Sequence, residues 1–202
     1  MTEKKIVLIG AGSLAFTPHI LSEVILSEDL KGSTVALVDI DAEKLELMTK
    51  LAKRMMTERK ANIKIESTTD RRKVLTDADF VIVTIAVGGP ESHDFDGEIP
   101  LKYGLYQTVA DTVGPGGFSR ALRHIPVMVD IARDMEELCP SAILFNETNP
   151  MTCICSAVRR MTKVNSVGLC HGVVGTKAFL ARFIGRKPEE ADVIAAGINH
   201  LT

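Results

Sequence analysis

Lys5-Ile6-Val7-Leu8-Ile9-Gly10-Ala11-Gly12-Ser13-Leu14-Ala15 decides the fold. Lys5 to Ile9 is a continuous, β-branched apolar run, the pattern of a parallel strand covered on both faces. It breaks at a glycine turn with G-x-G-x-x-A spacing, and an amphipathic stretch follows with Ile20, Leu21, Val24 and Ile25 on one face. Strand, glycine turn, helix is the entry to a dinucleotide site. Gly10 permits the tight turn, Gly12 lets the backbone approach a pyrophosphate, and the small Ala15 is expected to let the helix pack close to the strand. A tight βα turn without a ligand is the alternative for this motif taken alone.

The next strand, Thr34-Val35-Ala36-Leu37-Val38, ends in Asp39. A carboxylate at that tip accepts hydrogen bonds from a ribose diol and repels a 2′-phosphate, which favours NAD over NADP. Asp41 reads as the cap of a helix over residues 42–59, with Leu45, Met48, Leu51, Ala52 and Met55 inward. Short strands are expected at residues 63–65 and 80–85. The pattern to this point predicts an α/β fold, a doubly wound parallel Rossmann-type sheet whose ligands gather beyond the carboxyl ends of the strands.

Residues 87–117 form a long, polar, turn-rich connection, the kind that is functional or disordered. It holds His93, Asp94, Asp96 and Asp111 and ends in Gly114-Pro115-Gly116-Gly117. Those glycines either turn backbone N–H groups toward a ligand or make a plain turn. The helix that follows carries Leu122, Ile125, Val129, Ala132 and Met135 inward, and Pro126 predicts a kink or a later start.

A fifth strand is expected at residues 141–145, leading to Asn146-Glu147-Thr148-Asn149-Pro150. Asn149 reads as an N-cap with Pro150 at the first helical position, or as a donor to a substrate hydroxyl. Val167-Gly168-Leu169-Cys170-His171-Gly172 reads as a short buried strand that ends in a thiol and an imidazole. A helix over residues 175–184 and a second apolar run, residues 193–198, precede His200. Cysteine and histidine at strand ends are plausible metal ligands; the alternatives are an inert buried thiol and hydrogen-bonded packing histidines.

Composition narrows the classes. Of 202 residues, 46% are apolar and 25% charged, as in an ordinary globular protein. A net charge of -2 without a basic block argues against nucleic-acid binding. The longest apolar run, Phe80-Val81-Ile82-Val83-Thr84-Ile85-Ala86-Val87, is too short to span a bilayer. No export signal is readable, so the cytoplasm is the expected compartment and the four cysteines are expected to stay reduced. Cys153 and Cys155 lack the spacing of a redox or zinc motif. Nothing near Thr202 reads as a domain terminus, so the chain is expected to stop mid-fold.

Five motifs in order then resemble one family: Gly10-Ala11-Gly12-Ser13, Asp111-Thr112-Val113-Gly114-Pro115-Gly116-Gly117, Asn149-Pro150-Met151, Gly168-Leu169-Cys170-His171 and Gly197-Ile198-Asn199-His200. The chain resembles the N-terminal half of glycoside hydrolase family 4, the NAD- and Mn2+-dependent glycosidases. The stretch from Gln107 through Arg123 looks closest to the α-galactosidase branch. The resemblance implies hydrolysis of an α-glycoside without the usual carboxylate pair. NAD oxidises C3 of the sugar, a base removes the acidified C2 proton, the C1–O bond breaks by elimination, water adds and the hydride returns.

It implies residues 1–172 as the NAD-binding domain and residues 173–202 as the start of a second, truncated α+β substrate domain. Gly10, Gly12, Ser13, Leu14 and Asp39 would hold NAD. Cys170 and His200 would bind Mn2+, His171 would protonate the leaving oxygen, and Asp111 and Asn149 would hold sugar hydroxyls. A thiolate is soft for Mn2+, so the ligands alone do not select that metal. Branches that act on 6-phosphorylated sugars carry an arginine about where His93 stands, and histidine is the poorer phosphate clamp; an unphosphorylated substrate is expected. The C2 base is expected from outside this chain, which alone should turn over poorly. A full-length relative is expected to be a cytoplasmic homo-oligomer. The other readings are a 2-hydroxyacid dehydrogenase, which leaves Cys170, His171 and His200 unexplained, and a non-catalytic NAD-binding module.

Overall fold

The computed structural model describes residues 3–107, 109 and 111–200. Six parallel strands, β1 (Lys5–Ile9), β2 (Thr34–Val38), β3 (Lys64–Thr68), β4 (Phe80–Val83), β5 (Ile143–Asn146) and β6 (Asn165–Gly168), lie in the order β3-β2-β1-β4-β5-β6. The order reverses beside β1, the topology of a doubly wound sheet.

The run in β1 is continuous because both faces are covered. Val7 and Ile9 enter one core with Ala36, Val38, Val81 and Val83. Ile6 and Leu8 enter the other with Val35 and Leu37. Helices α1 (Thr17–Leu26) and α2 (Ala42–Arg59) cover the second face through Leu21, Val24, Ile25, Leu45 and Ala52. The first face is covered by α3 (Arg72–Leu75), α5 (Gly114–Leu138) and α6 (Met151–Met161). Each fully buried aliphatic side chain, Leu8 and Leu37 among them, contributes about 1.5–3 kcal/mol. Asp41 caps α2 as expected, accepting from the N–H groups of Glu43 and Lys44.

Several local expectations are corrected. Ala15 is exposed; α1 begins later, and Thr17, fully buried, takes the packing position and donates its hydroxyl to the Ala11 carbonyl at 2.9 Å. Residues 87–117 are not a continuous loop, because α4 (Gly89–Leu101) forms inside them. Its apolar pattern is weak and Pro100 lies within it, but Arg123 on α5 anchors it by a two-pronged ion pair to buried Asp96. Gly114-Pro115-Gly116-Gly117 is the first turn of α5, which runs on through Pro126 with no later start. Pro150, not Asn149, is the N-cap of α6, and the Asn149–Pro150 peptide is cis.

The strand carrying Val167 is also not buried. As the sheet's edge, β6 has one neighbour, and Val167 and Leu169 are 45% and 43% exposed. It stops at Gly168, and α7 (Gly172–Phe183) starts directly after His171. Residues 193–198 form no strand ladder, and Ile194 is 94% exposed. Among the described residues no helix is long and apolar enough to cross a membrane.

Candidate active site

The carboxyl ends of β1 and β2 meet at the glycine turn. Gly10 has φ +90°, and a Cβ there would lie 2.7 Å from the Thr84 carbonyl oxygen. Only glycine fits that conformation and that approach. The Gly12 N–H donates to Asp39 Oδ2 at 2.7 Å, and the Asp41 N–H donates to Oδ1 at 2.9 Å. A Cβ on Gly12 would meet Asp39 Oδ2 at 2.8 Å. Ser13 accepts from the Phe16 N–H at 3.2 Å, which holds its side chain in the local turn, and Leu14 is 75% exposed.

At the tip of β5 the buried Asn146 and Thr148 brace each other: Asn146 Nδ2 donates to the Thr148 carbonyl and Oδ1 accepts from the Thr148 N–H, both at 3.0 Å. Thr148 Oγ1 also accepts from the Ile85 N–H at 3.0 Å, which ties the tip to β4. This bracing presents Asn149. Its Nδ2 donates to Asp111 Oδ2 at 3.3 Å, and its carbonyl accepts from Arg120 Nε at 3.3 Å. Arg120 Nη1 lies 2.9 Å from His93 Nδ1. A guanidinium only donates, so His93 Nδ1 accepts and its proton sits on Nε2. His93 lines a cleft of about 380 Å³ with Asp94, Glu98, Tyr106 and Gln107.

Asp111 is shared. Thr112 Oγ1 donates to Asp111 Oδ1 at 2.8 Å and lies 2.8 Å from His200 Nδ1. His200 Nδ1 is itself 3.6 Å from Asp111 Oδ1. The structure thus brings together Asp111, Asn149 and His200, with Thr112 between. Cys170 Sγ accepts from the Gly172 N–H at 3.3 Å, and His171 is the N-cap residue of α7. Among the described residues neither is hydrogen-bonded to the Asp111 group, and no three His, Cys, Asp or Glu side chains are arranged to hold a metal. Burial raises the pKa of Glu147, at the end of β5, and nearby His171 opposes the shift.

Two of the three glycine N–H groups opening α5 are taken up within the protein, that of Gly117 by the Val113 carbonyl at 3.3 Å and that of Gly116 by Gln107. Gln107 Oε1 accepts from the Gly116 N–H at 3.0 Å while its Nε2 donates to the Asp96 carbonyl at 3.0 Å. Sequence reasoning passed over Asn146, Thr148, Gln107, Thr112 and Arg120. The one signal for the first two was an uninterrupted polar run directly after an apolar strand.

A doubly wound parallel sheet with a glycine turn after β1, an aspartate at the tip of β2 and a polar rim beyond β5 defines the class: an α/β protein of dinucleotide-binding topology. Within that class the profile of the family 4 glycosyl hydrolases matches residues 5–186, and the chain belongs to that family. It is 43% identical over 199 residues to the alpha-galactosidase of Bacillus subtilis (strain 168), covering 98% of this chain and 46% of that one. It is 38% identical over 200 residues to the alpha-glucosidase of Erwinia rhapontici, covering 98% and 44%. The chain spans about half the length of the curated relatives it matches. The 6-phospho-beta glucosidase of Thermotoga maritima, solved with manganese, NAD+ and glucose-6-phosphate, superposes with a TM-score of 0.85 at 31% identity, covering 98% of this chain and 47% of that one. A lactate dehydrogenase from Cryptosporidium parvum shares the fold alone, with a TM-score of 0.69 at 16% identity over 95% of this chain and 53% of that one.

Proposed function

We propose that this chain is the cofactor-binding part of an NAD- and Mn2+-dependent glycosidase. It hydrolyses an unphosphorylated α-glycoside, an α-galactoside first, by transient C3 oxidation, C2 deprotonation and elimination of the aglycone. Residues 1–172 bind NAD and residues 173–202 begin the substrate domain. The protein works in the cytoplasm, as a homo-oligomer at the family's full length.

What supports the cofactor is the fit of the first turn. Gly12 lets the turn close on the tip of β2, its N–H bonded to Asp39 Oδ2 where a Cβ would clash, and that contact holds Asp39 beside the turn as the acceptor for the ribose diol. What supports the metal is the family and the manganese in the related Thermotoga maritima structure; Cys170 and His200 would hold it here through one sulfur and one nitrogen. When bound, NAD+ supplies a hydride acceptor and Mn2+ a Lewis acid. Asp111 and Asn149 hold hydroxyls of the sugar, their mutual hydrogen bond fixing both groups. His171 donates the proton that the departing glycosidic oxygen needs. The base for C2 is not assigned to this chain.

The unphosphorylated substrate is supported by the pair at α4 and α5. Arg120 is held by Asn149 and His93, and the described residues that line the cleft include His93 but no arginine. Asp94 and Glu98 on its wall repel a phosphate.

The observation that carries the reading is the convergence of Asp111, Asn149 and His200 in a chain of this family. The test is hydrolysis in deuterated water, with NAD+ and Mn2+ present, by the enzyme at the family's full length. Deuterium at C2 of the released sugar is expected; a sugar released without it overturns the elimination.

A further inference from the structure

Thr112 stands between two groups assigned above to different tasks, and its single proton decides what each can do. The hydroxyl donates to Asp111 Oδ1 at 2.8 Å. A threonine hydroxyl has one proton, so toward His200 Nδ1, also at 2.8 Å, it can only accept. His200 therefore carries a proton on Nδ1, which leaves Nε2 as the nitrogen that can take a metal. That is the tautomer a metal-binding imidazole needs, and a hydrogen bond at the other nitrogen is the usual means of fixing it. The direct contact from His200 Nδ1 to Asp111 Oδ1, at 3.6 Å, is too long to do this without the hydroxyl.

The position of Thr112 is itself built in. A Cβ on Gly117 would fall on the Thr112 carbonyl, so the first turn of α5 is glycine where the Thr112 peptide passes. His200 sits at φ +65°, a left-handed conformation that an L side chain seldom adopts and that orients this imidazole at the end of the described chain. Asn149 Nδ2 holds the other oxygen of Asp111, so the carboxylate cannot swing away from the hydroxyl without losing that bond.

We propose that Thr112 is a positioning residue that, oriented by Asp111, fixes His200 as an Nδ1–H tautomer with Nε2 available to a divalent cation. The inference rests on the reading of His200 as a metal ligand. It adds that the sugar-side carboxylate and the metal-side imidazole are coupled through one hydroxyl, so the residues that hold the substrate also set the geometry of the metal.

The test uses the 202-residue chain with NAD+ present and Mn2+ as the probe, free Mn2+ being followed by electron paramagnetic resonance. Thr112→Val keeps the shape and removes the hydroxyl; it is expected to weaken Mn2+ binding roughly 10- to 100-fold. Thr112→Ser is expected to restore it. Without metal, the imidazole 15N spectrum of His200 is expected to show protonated Nδ1 in the unmodified chain and in Thr112→Ser, and a shift toward protonated Nε2 in Thr112→Val. Mn2+ binding and a His200 spectrum both indifferent to Thr112→Val would overturn the relay and leave the metal reading standing. No Mn2+ binding by the unmodified chain, with the Nδ1–H pattern present, would overturn the metal reading and the relay's purpose with it. Should Thr112→Val fold poorly, the spectrum of the unmodified chain decides: a His200 protonated on Nε2 overturns the proposal.

Discussion

The Gly12 N–H donates to Asp39 Oδ2 at 2.7 Å, so the turn after β1 and the carboxylate at the tip of β2 form one unit. Each side of this bond has no slack. A Cβ on Gly12 would press on Asp39 Oδ2 at 2.8 Å and on Lys44 Cβ at 2.9 Å. Gly12→Ala is therefore expected to cost about 1–3 kcal/mol of stability, the usual cost of forcing a methyl into a filled space. A fall in melting temperature of roughly 2–4 °C for each kcal/mol, by calorimetry, would show it. An unchanged melting temperature would mean that the turn has room the structure does not show.

The ion pair between Asp96 and Arg123 joins α4 to α5, with contacts of 2.6 and 2.8 Å and the Asp96 side chain only 1% exposed. Burial alone would raise the pKa of Asp96; the Arg123 guanidinium and Ser119 more than offset it, and the net shift is downward from 3.8. The sign for stability follows. The unfolded chain takes up the proton first, so the contribution is complete above 3.8 and is lost as pH falls through the lowered folded value. Arg123→Met, which leaves the carboxylate buried and unpaired, is expected to cost about 3 kcal/mol. Urea denaturation measures it, and adding Asp96→Asn to that variant should recover part of the loss.

His124 is 1% exposed between two backbone groups. Its Nε2 accepts from the Val87 N–H at 3.0 Å and its Nδ1 donates to the Arg120 carbonyl at 2.9 Å. Burial lowers its pKa below 6.5, with Arg120 and Arg123 adding to the effect and the Arg120 carbonyl opposing it. For a depressed histidine the stability is present above the unfolded value and is lost as pH falls through the folded one. The urea midpoint is expected to drop between about pH 7.5 and 5.5 and to drop less in His124→Gln. A midpoint flat across that range would show that His124 charges as easily folded as unfolded.

Cys170 lies past the end of β6, its sulfur held by the Gly172 N–H. As the proposed metal ligand it is expected to let Mn2+ with NAD+ raise the melting temperature, and Cys170→Ser is expected to abolish that rise while leaving the rise from NAD+ alone. A Mn2+ effect that survives Cys170→Ser removes the thiol from the metal site.

The sheet was legible because β1 and β2 are covered on both faces and therefore read as unbroken apolar runs. Helix α2 was legible to its ends because Asp41 caps it through its own nearest neighbours. The strand bearing Val167 misled for a physical reason. An apolar run reads the same at the centre of a sheet and at its edge; among the described residues no strand pairs beyond β6, and Val167 and Leu169 stand exposed there. Helix α4 was hidden because a distant ion pair, not its own apolar stripe, holds it. The site divides the same way. Asp111, Asn149 and His200 were legible as chemistry-bearing residues in motifs, but the contact of Thr112 with His200 spans 88 positions and is not written in the motif that holds Thr112.

The claim that the glycine turn with Asp39 is a site for NAD is tested most directly by isothermal titration of NAD+ and NADP+ into this chain and into Asp39→Ala. The prediction is saturable binding of NAD+ at one site, NADP+ weaker by about tenfold or more, and Asp39→Ala weaker for NAD+ by about tenfold, or 1.4 kcal/mol. No saturable heat from NAD+, or equal affinity for both nucleotides undisturbed by Asp39→Ala, would contradict it.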